Sequence, residues 1–199
     1  MARAEPGRLR IIGGRWRGRR LSVADQPGLR PTGDRIRETL FNWLAPVISG
    51  SRCLDCFAGS GALGLEAASR GAAEVVMIER AAPAARLLRA NAALLAGADD
   101  TAPIDVIQAD ALDWLARTPP RPFDICFLDP PFAAGLLADA LGLLAEGSWL
   151  APSALVYLET AKSGGLPELP AAWSLRREKQ TGQVCYALAE VDCRGDGLD

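Results

Sequence analysis

From Ser51 onward, short apolar runs alternate with longer segments rich in Ala and Leu, and this alternation constrains the fold more than any other feature. RCLDCFA leads into a helical stretch through ALGLEAASRG, EVVMIE into APAARLLRANAALLAG, and IDVIQ into ALDWLAR. FDICFLD leads into a helix near 133–146, which is followed by ALVYLE. The segment WSLRREKQTGQVCYALAEV then reads as two strands joined at Thr181-Gly182. Strand and helix in repeated alternation make a parallel sheet covered on both faces. Strands buried on both sides read as unbroken apolar runs, as these do. Ligands of such sheets bind beyond the carboxyl ends of the strands. The residues that close each run are therefore the first candidates for a site.

The first run closes on DCFAGSGALG, in which Gly59, Gly61 and Gly64 match G-x-G-x-x-G between a strand and a helix. Such glycines allow a tight turn and bring a ligand close to backbone N–H groups. Phe57 and Ser60 lie in the same loop and join Asp55, Gly59 and Gly61 as candidate cofactor contacts. Glu79 closes the second run and is placed to accept both hydroxyls of an adenosine ribose. Its alternative is an exposed acid paired with Arg80 or Arg86. Asp110 closes the third run, where it either caps the next helix or binds an adenine amino group. These features fit two ligands, a nicotinamide dinucleotide and S-adenosylmethionine. Asp55 separates them. A carboxylate at the glycine turn repels a pyrophosphate, but it favours the sulfonium and ammonium groups of S-adenosylmethionine.

The chain contains no histidine. That removes Ser-His-Asp and Cys-His catalysis and histidine metal sites together. The fourth run closes on DPPF, Asp129 to Phe132. An exocyclic amine on a nucleic-acid base is a poor nucleophile, because its lone pair is delocalised into the ring. Asp129 can accept one of its N–H groups and the carbonyl of Pro130 the other, which turns the lone pair toward a methyl donor. Pro130 and Pro131 have a fixed φ and no N–H, so their carbonyls stay aimed at substrate. Phe132 can stack on the base. The expected contribution is positioning and electrostatics.

A length of 199 residues, 49% hydrophobic and 23% charged, suits one soluble domain with a small appendage. No apolar run approaches the roughly 18 residues of a membrane span, and MARAEPGRLR lacks the apolar core of a secretory signal. Five dispersed cysteines suit a cytoplasmic chain without a disulfide framework. The Cys53-x-x-Cys56 spacing on a strand points its thiols to opposite faces, and no second ligand pair exists, so no metal is expected. Residues 1–37 hold ten Arg against Glu5, Asp25 and Asp34, a net +7, and the remainder carries −9. A basic arm on an acidic body suits a localised polyanion. Within it, LRIIGGRWRGRRLSV alternates apolar and basic residues and resembles a strand pair with Arg on one face. Arg10, Arg15, Arg17, Arg19 and Arg20 are candidate phosphate contacts, with Arg30 and Arg35 beyond them, and Trp16 is a candidate base stacker. The competing expectation buries Trp16 against the sheet. LRPTGDRIRETLFNWLAP then predicts a helix with Asp34 as N-cap, a stripe of Ile36, Leu40, Trp43 and Leu44, and a stop at Pro46.

DPPF resembles the [DNS]-PP-[YFW] signature of base-amino methyltransferases, and DCFAGSGALG is similar to their cofactor loop. RIIGGRWRGRRL, RPTGDRIRETLFNWL, LDCFAGSGALGLEAASRGA and DPPF together resemble the RsmD family of bacterial 16S rRNA guanine-N2 methyltransferases, from about Arg10 to Tyr186. That resemblance implies an α/β Rossmann-like class I methyltransferase fold, with a mostly parallel seven-stranded sheet and a small basic N-terminal extension. It also implies S-adenosylmethionine as cofactor, and as substrate a guanine in 16S rRNA within the small ribosomal subunit or its assembly intermediate. Asp129 and Pro130 would be the catalytic pair and Phe132 the stacker, with Asp55, Gly59, Gly61 and Glu79 on the cofactor. The expected organisation is an arm or hairpin over 1–30, a catalytic domain over 31–190 and a flexible tail over 191–199, acting as a monomer. Physics alone leaves adenine N6, on RNA or DNA, beside guanine N2. A small NAD-dependent oxidoreductase and a non-enzymatic RNA-binding assembly factor are the remaining alternatives. Asp55 opposes the first of these, and the intact DPPF opposes the second.

Overall fold

A computed structural model describes residues 7–23, 33–97, 103–117, 121–131 and 135–192. Strands β1 (Arg8–Arg10) and β2 (Arg20–Ser22) form an antiparallel hairpin. Strands β3 (Arg52–Asp55), β4 (Glu74–Glu79), β5 (Ile104–Gln108), β6 (Phe123–Leu128), β7 (Leu150–Ala161), β8 (Trp173–Thr181) and β9 (Val184–Val191) form one sheet in the order β5-β4-β3-β6-β7-β9-β8. Its first five strands are parallel, and β9 runs antiparallel to both β7 and β8. The helices are α1 (Asp34–Leu44), α2 (Gly64–Ser69), α3 (Ala82–Ala96), α4 (Ala111–Leu115) and α5 (Leu136–Glu146). This is the mostly parallel seven-stranded sheet that the alternating runs and the family resemblance imply. No described helix is long and apolar enough to cross a membrane.

Side chains alternate across a strand, so each strand feeds two cores. Cys53, Met77, Phe127 and Tyr157 share one core with α1, α2, α3 and the hairpin. Leu54, Ile78, Leu128 and Leu158 share the other with α4, α5 and Trp149. Cys53 and Cys56 fall in different cores, so their spacing makes no common site. Cys53, Cys56, Cys126 and Cys185 are free and buried, and Cys193 lies outside the described residues.

The hairpin is continuous with the first core. Leu9, Ile11, Trp16, Leu21 and Val23 are all buried in it. Ile12 N and Gly13 N donate to the Glu66 carboxylate on α2 at 2.8 and 2.7 Å. Arg15 N donates to Ser69 O at 2.8 Å, Trp16 N to Ser69 Oγ at 3.0 Å, and Ser69 Oγ to Gly13 O at 2.6 Å. Gly14 has φ +73°, and a Cβ there would lie 1.9 Å from Ser69 O, so only glycine lets the loop dock this closely.

Three expectations are corrected. Trp16 is 6% exposed and belongs to the core, so its ring is not presented to a base. An indole at the bend of an amphipathic hairpin removes more apolar area from water by folding under than by standing out. Asp34 opens α1 without capping it, since the N-cap is Gly33. Its carboxylate accepts instead from Arg37 Nη2 at 2.6 Å and Arg10 Nη2 at 3.1 Å, and two charge-assisted bonds outweigh one capping bond. Val191, expected in the tail, ends β9. Trp16→Ala should lower stability by roughly 3–5 kcal/mol. Calorimetry showing an unchanged Tm would contradict the packed indole.

Candidate active site

The chain leaves β3 toward β4 and β5 on one side, then returns to β6 on the other. The crevice between the ends of β3 and β6 is the switch point where such sheets bind ligands. Asp55 stands in register with Met77 and Phe127, and Phe127 with Tyr157. Two residues further along each neighbouring strand come Glu79, Asp129 and Glu159. In sheet order β4, β3, β6 and β7, this edge carries four acids.

The opposite edge is neutralised. Arg52, at the start of β3, donates to both oxygens of Glu74 at 2.7 Å and to the carbonyls of Arg121 and Pro122. Asp55, Glu79 and Glu159 have no Lys or Arg at ion-pair distance among the described residues.

Asp55 is 1% exposed. Its Oδ2 accepts from Gly64 N at 3.0 Å, and its Oδ1 is buried without a hydrogen bond among the described residues. The Phe57 amide favours the ionised form without meeting hydrogen-bond geometry. Burial pushes the Asp55 carboxyl up to about 7, against the Gly64 amide, and the charges of Asp129 and Glu79 add to the rise. A buried, half-satisfied carboxylate fits a cationic ligand.

The glycine loop sits directly above this acid. Gly59 and Gly61 have φ of +51° and +79°. A Cβ on Gly61 would meet Leu88 at 2.5 Å, and one on Gly64 would meet Met77 at 2.6 Å. Ser60 is buried and Phe57 half-buried. Glu79 does not pair with Arg80 or Arg86. Its two oxygens accept from Gly59 N at 2.9 Å and Ala81 N at 2.6 Å, which joins the end of β4 to the loop. Asp110 takes the capping alternative. Its Oδ1 accepts from Leu112 N at 3.0 Å and Asp113 N at 3.4 Å, with Arg80 3.8 Å from Oδ2.

Pro130 is buried and Pro131 exposed, while Phe132 lies outside the described residues. Asp129 bears electrostatically on Asp55, Tyr157 and Glu159, so it faces the same crevice. Glu159 and Tyr157 are not among the residues that the motifs single out. The rule that finds Glu79 and Asp129, to inspect the residue closing each apolar run, reaches Glu159 in ALVYLE as well.

Five of the candidate arginines, Arg10, Arg15, Arg17, Arg19 and Arg20, lie in the hairpin, and Arg35 lies on α1. Arg10, Arg15, Arg17, Arg19, Arg20 and Arg35 are exposed, and Arg30 lies outside the described residues. Arg10 is paired with Asp34. Arg19 Nη1 donates to Leu94 O at 3.4 Å. Arg15, Arg17, Arg20 and Arg35 have no acidic partner among the described residues.

The family described as Conserved hypothetical protein 95 matches residues 9–190. The chain belongs to this family. A relative from Escherichia coli (strain K12), Ribosomal RNA small subunit methyltransferase D, is 52% identical over 190 residues, covering 96% of this chain and 93% of that protein. The Haemophilus influenzae protein of the same name is 49% identical over 183 residues, covering 92% and 93%. The solved structure of yhhF from Escherichia coli has a TM-score of 0.85 at 48% identity, covering 94% of this chain and 100% of that one. The RsmD resemblance is thereby borne out, and the fold is that of class I S-adenosylmethionine-dependent methyltransferases.

This RsmD-family site suits S-adenosylmethionine. The unsatisfied Oδ1 of Asp55 would meet its cationic amino-acid end, and Glu79 its ribose. A cation binds ionised Asp55, and the free carboxyl titrates near 7. Affinity for S-adenosylmethionine should therefore fall below pH 7, by up to about tenfold per pH unit, and level off above it. Titration calorimetry of the wild type and Asp55→Asn checks this, since the substitution should flatten the profile.

Proposed function

We propose that this protein transfers a methyl group from S-adenosylmethionine to the exocyclic N2 amine of a guanine in 16S rRNA of the small ribosomal subunit. The observation that carries this reading is the end of β6. Asp129 and Pro130 adjoin, across the switch point, the strand bearing the cationic-ligand carboxylate Asp55. The names of the relatives from Escherichia coli and Haemophilus influenzae support a small-subunit rRNA as substrate.

S-adenosylmethionine, when bound, supplies an electrophilic methyl on a sulfonium. Asp129 accepts one N–H of the guanine amine and the Pro130 carbonyl the other, which aims the lone pair at that methyl. The N–CH₃ bond forms as the S–CH₃ bond breaks, and the Asp129 carboxylate takes the proton shed by the amine. Phe132 is proposed to stack on the base. Positioning and a fixed field do the work, as they can without any histidine. Arg10, Arg15, Arg17, Arg19 and Arg20 of the hairpin and Arg35 of α1 hold phosphates, and Arg30 is proposed to join them. The substrate is presented within the subunit or its assembly intermediate, and the protein acts as a cytoplasmic monomer.

Mapping modified bases in small-subunit rRNA from cells with and without this protein tests the reading. One N2-methylguanine should vanish, and an unchanged map would end the proposal. Asp129→Ala should cut kcat/KM by at least about 100-fold, close to 2.7 kcal/mol, with cofactor affinity nearly intact. A variant retaining more than about a tenth of the rate would remove Asp129 from the transition state. Replacing Arg15, Arg17, Arg19 and Arg20 together by Ala should weaken binding to the small subunit and leave the Tm and cofactor binding in place. The log–log salt slope should fall by roughly 0.7–0.9 for each phosphate no longer neutralised. Unaltered affinity at physiological salt would move the RNA surface elsewhere.

A further inference from the structure

The proposed transfer uses Glu79, Asp55 and Asp129, and leaves the fourth acid of the crevice, Glu159, without a task. We propose that Glu159 reads the target base, its carboxylate accepting the N1–H of the guanine whose amine is held by Asp129 and Pro130. This inference rests on the guanine-N2 reading.

The placement comes from the sheet register. Leu128 on β6 pairs with Leu158 on β7, so Asp129 and Glu159 are the next residues on neighbouring parallel strands. Neighbouring strands lie about 4.8 Å apart, which lets two carboxylates converge on one base edge. Glu159 follows Tyr157 by two residues, on the side of the sheet that carries α1 and holds Asp55.

The Glu159 side chain is not left to find its own position. Its Oε2 accepts from the Tyr157 hydroxyl at 2.7 Å, and Tyr157 is fully buried against Phe127 and Tyr186. Oε1 accepts no hydrogen bond among the described residues. Among the described residues, the ionisable groups around the carboxylate are Asp129 on β6, Tyr157 on its own strand and Tyr186, its register partner on β9. None of them is a cation.

A residue 4% exposed, acidic, beside another acid and without a cation is an expensive choice for packing alone. Burial pushes its carboxyl up to about 8, the Asp129 charge adds to this, and the Tyr157 hydroxyl opposes it. Such perturbed groups in a crevice mark functional sites. A donor delivered by substrate relieves the cost. The methyl donor's positive charge favours the same ionised form.

Base chemistry makes the role selective. The guanine N2 amine is flanked by N1–H, a donor. The adenine N6 amine is flanked by an N1 that carries only a lone pair. A carboxylate next to the amine site welcomes the first and repels the second. Asp129 and Glu159 thus take two adjacent donors of one edge, and Glu159 is the one that distinguishes the bases, since both present an amine to Asp129.

The test uses 2-aminopurine, which keeps the C2 amine and lacks N1–H. Small subunits are reconstituted from ligated 16S rRNA carrying guanine or 2-aminopurine at the methylated nucleotide. The wild type should prefer guanine by about 100-fold or more in kcat/KM, because a site built for a donor rejects the analogue lacking it. Glu159→Gln keeps the shape and the acceptor for Tyr157, and its amide can donate to a bare N1. It should shrink the preference to about tenfold or less, mainly by losing rate on guanine, with the Kd for S-adenosylmethionine within about twofold. Tyr157→Phe removes only the hydroxyl that holds Glu159 and should lower the same ratio in part. A ratio unchanged in both variants, or equal losses on both bases, overturns the inference while leaving the guanine reading intact. A wild type that methylates neither particle overturns both.

Discussion

The carboxylate of Glu66 holds together the hairpin side of the molecule. It is 0% exposed and accepts from two hairpin amides, Ile12 N and Gly13 N, and from Arg70 Nε. Arg37 of α1, equally buried, lies 3.7 Å away and also reaches Arg10 O and Asp34. A buried charge is tolerable only when its lone pairs are occupied, and here three N–H groups occupy them while the Arg37 guanidinium balances the charge from 3.7 Å. The hairpin, α1 and α2 therefore depend on one another. The helix bearing Glu66 is also the one that the cofactor loop opens into, so the arm and the loop rest on the same six residues, Gly64–Ser69.

Electrostatics divides the sheet along its length. At one end Arg52 closes Glu74 into a bidentate pair. At the other, Asp55, Glu79 and Glu159 stand around a crevice without basic partners among the described residues. A cleft that gathers negative potential draws a sulfonium in and stabilises the positive charge that the amine gains as it takes the methyl. The same field favours exchange after transfer, since the spent cofactor has lost its sulfonium charge.

Much of this was legible in the residues. Alternating runs carry the sheet, because burial on both faces leaves no room for polar interruptions. The placement of Gly59, Gly61, Glu79 and Asp129 at strand ends facing one crevice was legible, because strand ends are where the local sequence pattern changes. Trp16 was not, since alternation separates two faces of a hairpin without saying which one meets the body. Asp34 has the composition of a cap, but two guanidiniums, Arg37 on its own helix and Arg10 on the hairpin, claimed it. Glu66 belongs to no motif, and its importance comes from amides more than fifty residues away. Glu159 could have been found by the strand-end rule, but its partner Tyr157 matters only through a hydrogen bond the sequence does not display.

The docking of the hairpin on Ser69 and Glu66 carries a consequence for how such enzymes diversify. The backbone of residues 12–16 is stitched to α2, while the guanidiniums of Arg15, Arg17 and Arg20 project from that fixed seam. Docking constrains main chain and glycine, and leaves the outward side chains unconstrained. The arm behaves as a rigid handle with an interchangeable grip. On the reading proposed above, the grip is open to rewriting at Arg15, Arg17 and Arg20 while the backbone contacts that dock the arm on α2 stay in place.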